Sequence, residues 1–240
     1  MIESALQKFA LMGASWVLYL LLAMSIFSIG IICERALYFR SHSGDVEALG
    51  NELLRLLKVG DRRNAVALLQ GSKSTEAAIL LPAMDWLDGG AESVAEALES
   101  SLVKKRAELE RGLTSLGTLG NNAPFVGLFG TVIGVIQAFH MLGASNAGAN
   151  QGAMGNVIVA ISDALIATGV GLIVALPAVV GYNLSQKKVS TIENNVSVIS
   201  KQILALLKAD PKLLEQFAAL SEEVAEEEAA AEVVGEPELG

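Results

Sequence analysis

Two long stretches of the chain carry almost no charge. Residues 10–33 hold no Asp, Glu, Lys or Arg, and residues 112–186 hold only Asp163. A helix needs about 20 consecutive apolar residues to cross a bilayer core, and both stretches supply them. The first predicts a spanning helix over about Ala10–Cys33, with Trp16 and Tyr19 as interfacial anchors. The second predicts two more, Pro124–Leu142 and Val157–Tyr182, separated by a short uncharged loop. Pro124 suits a first helical turn, where its missing N–H is not needed. Pro177 lies inside the third span and predicts a kink there.

The remaining segments show helical periodicity. Val46, Leu49, Leu53 and Leu56 follow a 3-4-3 spacing, continued in kind by Val66 and Leu69. Pro82, Gly89 and Gly90 divide this region into short helices. Ala91–Leu119 reads as one long helix feeding the second span. After the third span, Val189, Ile192, Val196, Ile199, Ile203 and Leu206 form an unbroken seam that calls for a partner helix. That partner belongs either to the same chain or to a neighbouring subunit. Pro211 closes the helix, and the following Glu-, Ala- and Val-rich end reads as a partly disordered acidic tail.

The expected fold is therefore all-α: a three-span membrane protein whose long helices extend into a helical domain outside the bilayer. Its segments are an N-terminus with the first span (1–33), a cytoplasmic helical domain (34–120), the second span (121–142), an external loop (143–156), the third span (157–183), a seam-bearing cytoplasmic helix (184–210) and the tail (211–240).

Composition agrees. The chain is 52% hydrophobic, and its mean hydropathy is +0.49. Its net charge of −9 does not suggest nucleic-acid binding. Cys33 is the only cysteine, which excludes an internal disulfide and CxxC metal sites, and His42 and His140 are too far apart in sequence to suggest zinc. No metal, cofactor or catalytic residue is expected. The first span is too long for a signal-peptide core and lacks a basic n-region, so it reads as a retained helix. Basic residues set the orientation: Arg35, Arg40, Lys104, Lys105, Arg106, Arg111, Lys187 and Lys188 flank the spans on one side, while the 141–156 loop has none. The positive-inside rule puts the N-terminus outside and the C-terminus inside.

Asp163 then stands out. A carboxylate at membrane depth costs roughly 2.5–3.5 kcal/mol on insertion scales and usually marks an ion path or a polar contact between helices. Small residues surround it: Gly127, Gly130, Gly134 and Ala138 on the second span, and Ala167, Gly171 and Ala175 continuing an i+4 row from Asp163. Such faces let membrane helices approach closely. Thr131 and Thr168 are further polar groups at depth, each able to bond its own backbone. Thr168 lies about 140° around the helix from Asp163, so the two do not share one line. Other motifs fail on chemistry. Gly143-Ala144-Ser145 with His140 lacks an orienting third group and an oxyanion hole, GLFGTVIG does not fit a phosphate loop, and an aspartyl protease needs two carboxylates.

The segments APFVGLFGTVIGVIQAF (123–139) and ISDALIATGVGLIVALPAVVGYN (161–183) resemble the ExbB/TolQ/MotA proton-channel family, and most of all its three-span ExbB/TolQ branch. Glu34-Arg35 is similar to that branch as well. The resemblance is specific over about 115–190, weaker over 1–60 and absent from the tail. It implies an inner-membrane pentamer around two single-span ExbD/TolR-like subunits, in which ion flow drives motion that does envelope work through a TonB-, TolA- or gliding-type protein. It further implies that Asp163 stands where the family has a pore glutamate, and that Thr131 and Thr168 are pore threonines. The principal carrier would be an aspartate on the partner helix, and the small-residue faces would stabilise that helix. Aspartate is one methylene shorter than the family residue. A passive membrane scaffold is the rival reading.

Overall fold

The computed structural model describes residues 15–144, 151–210, 213–217 and 219. Residues 1–14, residues 145–150 of the expected 143–156 loop (Ser145 among them) and most of the acidic tail lie outside this set; the rest of that loop is helical, since α6 runs to Ala144 and α7 starts at Gln151. The described chain is helical, with no strand among the described residues. The helices are α1 (Ser15–Ser41), α2 (Val46–Lys58), α3 (Arg62–Gly71), α4 (Thr75–Leu80), a 3-10 turn (Leu81–Trp86), α5 (Gly90–Leu109), α6 (Leu113–Ala144) and α7 (Gln151–Ala209). Three of them, α1, α6 and α7, are long and apolar enough to cross a membrane. The chain divides into two compact units, one from residues 1–37 and 111–186, the other from residues 38–110 and 187–240.

In the first unit, α1, α6 and α7 pack on one another. Val17 and Leu21 of α1 meet Ala123 and Ile133 of α6 and Val174 and Ala175 of α7. Lower down, Ile31, Leu116 and Ala178 make a second contact. Trp16 stands edge-on to Phe129, with ring centroids 6.2 Å apart. The outward faces carry exposed Phe125, Phe139, Leu165, Ile173 and Leu176, the surface expected of helices whose solvent is lipid.

The second unit is built from short capped helices. Asp45, Asp61 and Ser74 each accept a hydrogen bond from a first-turn backbone N–H, starting α2, α3 and α4. Gly60, at φ +78°, closes α2 in a left-handed conformation that only glycine takes without strain. The core joins Leu53, Leu57, Leu69, Ile79 and Met84 to one face of α7. Val196, Ile199 and Ile203 supply that face, so the seam finds its partner within the same chain. Two polar contacts fix α7 further: Asn195 Nδ2 donates to Glu76 Oε1 at 3.1 Å, and Arg106 Nε lies 3.2 Å from Glu193 Oε1.

Two features depart from the sequence reading. The helix expected over Ala91–Leu119 is two helices, because α5 ends at Leu109 and Gly112 turns the chain at φ +77° before α6 begins. Pro177 lies inside α7, and the third span and the following seam are one helix of 59 residues, in line with the long helices expected to extend beyond the bilayer. Leu213 and Phe217, assigned from sequence to the tail, are buried in the second unit's core. Their four-residue spacing carries an apolar contact that the surrounding acidic composition hides. Removing a buried aromatic side chain costs about 3–5 kcal/mol. Phe217→Ala is therefore expected to destabilise the second unit by that order, read as a lowered midpoint in chemical denaturation of the purified protein.

Candidate functional site

The site is organised by how closely α6 and α7 approach. Gly127 and Gly171 face each other: a Cβ built on Gly127 would lie 2.8 Å from the Ala167 carbonyl oxygen, and one on Gly171 would lie 2.8 Å from that of Ala123. One turn along, a Cβ on Gly130 would meet that of Ala167 at 2.8 Å, and one on Gly134 would overlap that of Ala164. Side chains larger than hydrogen have no room there, so backbone meets backbone. Gly127, Gly130, Gly134, Ala167 and Gly171 thus all lie in one intrachain contact. The small-residue faces are occupied within the chain; they are not left open to seat another helix.

Thr168 locks this contact. Its hydroxyl donates across the interface to the Gly127 carbonyl at 3.0 Å. Thr131 behaves differently, donating to the Leu128 carbonyl of its own helix at 2.6 Å. Thr131 is one turn after Gly127, so both threonines lie beside the Gly127 turn of the α6–α7 contact.

Asp163 stands apart from them. It is exposed and makes no hydrogen bond or ion pair among the described residues. Its flank of α7 can be assigned from its neighbours on the helix. Gly181 is 18 positions on, about five full turns and the same face. A Cβ on Gly181 would lie 2.6 Å from Ile32 of α1. Val170 and Val174, 7 and 11 positions after Asp163, also pack with the cluster holding Val17 and Leu21. Asp163 therefore lies on the α1 side of α7, and Thr168 on the other. One chain brings the two threonines near each other and keeps the carboxylate away from them.

Gln137 was not singled out from the sequence. It is half-buried and follows Val126 and Ile133 on the α6 flank that packs against α1. A search by charge passes over amides; a search for any polar side chain within the spans finds it. At the other end of α1, Arg35 is buried and pairs with the exposed Glu34 carboxylate at 2.6 Å. Among the described residues no group of three His, Cys, Asp or Glu is placed to hold a metal.

The sequence pattern of the MotA/TolQ/ExbB proton channel family matches residues 72–197, a span that contains Thr131, Asp163 and Thr168. The Tol-Pal system protein TolQ of Pseudomonas aeruginosa is 41% identical over 96 residues, 40% of this chain and 40% of that protein. The biopolymer transport protein ExbB of Pseudomonas putida is 37% identical over 123 residues, 51% of this chain and 36% of that one. ExbB of Salmonella typhimurium is 31% identical over 152 residues, 63% and 56% of the two chains. The matched regions span between 36% and 56% of the length of these relatives. The family pattern covers more than half of this chain, which belongs to the MotA/TolQ/ExbB proton channel family. With three membrane-compatible helices, it is a multi-pass membrane protein.

Four substitutions test the α6–α7 contact. Gly171→Val forces a side chain onto a carbonyl oxygen and is expected to cost at least about 1–3 kcal/mol. Gly169→Ala, with nothing within 4 Å of its built Cβ, is expected to be neutral or slightly stabilising. Thr168→Val should cost about 0.6–1.7 kcal/mol, the range for interhelical hydrogen bonds in membranes, while Thr168→Ser should retain the bond. Thermal unfolding in detergent measures all four.

Proposed function

We propose that this chain is the ring-forming subunit of an ion-motive-force-driven motor in the bacterial inner membrane. The observation that carries the reading is Asp163: an exposed carboxylate on a membrane helix, unpaired within its own chain among the described residues. Leaving it unpaired in lipid costs roughly 2.5–3.5 kcal/mol, and the described residues offer it no counterpart, which supports a partner on another chain or a water-filled path. The separation of Asp163 from Thr131 and Thr168 supports the same reading, because one copy does not assemble the polar groups into one path.

The ring is a pentamer of this chain, enclosing the single membrane helices of two ExbD/TolR-like subunits. An aspartate on the partner helix carries the proton, and Asp163, Thr131 and Thr168 offer carboxyl and hydroxyl groups along its route. Each proton crossing the membrane releases about 2.3 kcal/mol per 100 mV. That energy moves the partner helix relative to the ring and is passed to a TonB-, TolA- or gliding-type protein. The N-terminus is periplasmic and the second unit cytoplasmic, the arrangement favoured by the basic residues that flank the spans.

Asp163→Asn tests the role of the carboxylate. Proton flux through the chain co-reconstituted with its single-span partner is expected to fall to background while the complex still assembles. Unchanged flux and envelope work with normal assembly would remove Asp163 from the motor and favour a passive scaffold. Flux that persists when sodium is withdrawn identifies the proton as the ion carried.

A further inference from the structure

The α6–α7 contact divides the polar side chains of the membrane unit into two sets. Thr131 and Thr168 lie on one side of it. On the other, the α1 side, lie Asp163 of α7 and Gln137 of α6. Asn156 belongs to this second set. It comes seven positions before Asp163, about 20° short of two full turns, and so falls on the same flank of α7.

The glycines give the heights of these groups. Gly127 meets the turn 167–171, whereas a Cβ on Gly134 would overlap that of Ala164 and lie 3.0 Å from the Ala160 carbonyl oxygen. The helices are therefore antiparallel, and Asp163 is level with Gly134. At 1.5 Å per residue, Gln137 lies about 5 Å beyond Asp163, toward the end where α6 passes to α7. Asn156 lies about 10 Å beyond it in the same direction. Asp163, Gln137 and Asn156 thus rise in two steps of about 5 Å along one flank. On the far side of Asp163 that flank is sealed, because Val170 and Val174 pack with Val17 and Leu21 of α1. The polar run ends at the carboxylate.

None of the three makes a hydrogen bond or ion pair among the described residues. Asp163 and Asn156 are exposed, and Gln137 is half-buried. A polar group unpaired in an apolar medium costs free energy, and polar side chains at membrane depth face a bundle interior or a water-filled cavity. Hydrocarbon can pair with none of these groups, whereas water can pair with all of them. Water also bridges polar groups that stand too far apart to bond directly.

We propose that this flank is a water-filled path from the α6–α7 end of the spans to Asp163, with Asn156 at its mouth. Gln137 is the positioning residue that holds water against the carboxylate, since its amide both donates and accepts. The use of the path in ion flow rests on the motor reading; the path itself does not.

Thiol labelling of the full chain in lipid nanodiscs tests the path without any flux. In a Cys33→Ser background, Asp163→Cys is expected to react with 2-aminoethyl methanethiosulfonate much faster than Leu165→Cys, which stands on the outward face. Intact mass reads both. Gln137→Leu should slow labelling of the thiol at position 163 roughly tenfold, the loss of one hydrogen-bonded step, while Gln137→Asn keeps an amide and most of the rate. With Asp163 intact, proton flux through the complex with the single-span partner should fall in the same order. Equal labelling at positions 163 and 165, or a rate unchanged by Gln137→Leu, would overturn the water path. Flux abolished by Asp163→Asn but untouched by Gln137→Leu would remove Gln137 from the ion route. Labelling slowed by Gln137→Leu, with flux indifferent to Asp163→Asn, would uphold the path and sink the motor reading.

Discussion

The close approach of α6 and α7 governs the rest of the membrane unit. In lipid there is no hydrophobic force to hold two apolar helices together, so contact depends on packing and on the few hydrogen bonds available. Gly127, Gly130, Gly134 and Gly171 bring the two backbones together, and Thr168 bonds across the gap. The same contact sets which flank of α7 meets α1, and so where Asp163 faces.

The two units solve different physical problems. The membrane unit keeps many large aliphatic and aromatic side chains on its outer faces and sets small residues where α6 meets α7. The second unit gathers its large apolar side chains inside, with capped short helices around them. Water supplies the driving force in the second case and not in the first. Each unit is therefore read by a different rule, although α7 contributes to both.

Much of the fold was legible in sequence because charge segregation and period-3.6 patterning report directly on helices and their solvent. Periodicity identifies a face without naming what covers it. The Val189–Leu206 seam demanded a partner, and only the structure shows that Leu53, Leu57 and their neighbours supply it. Gly112 looked like one glycine in a helical pattern; its positive φ lies where one helix ends and another starts, and a Cβ there would come within 3.3 Å of Ile31. Phe217 was masked by composition. The separation of Asp163 from Thr168 was already visible as an angle, but the helix standing on the Asp163 side was not.

Asp163 also bears on how the chain is made. A helix must enter the bilayer before it can meet partners, and it does so on its own composition. An aspartate near the centre opposes entry by about 3 kcal/mol, while Leu, Ile, Val and Phe favour it by roughly 0.3–0.6 kcal/mol each. About eight such residues offset the carboxylate, and α7 holds more than that between Leu165 and Val180 alone. The third span therefore carries its own passage into the membrane, and the polar group arrives before anything exists to use it.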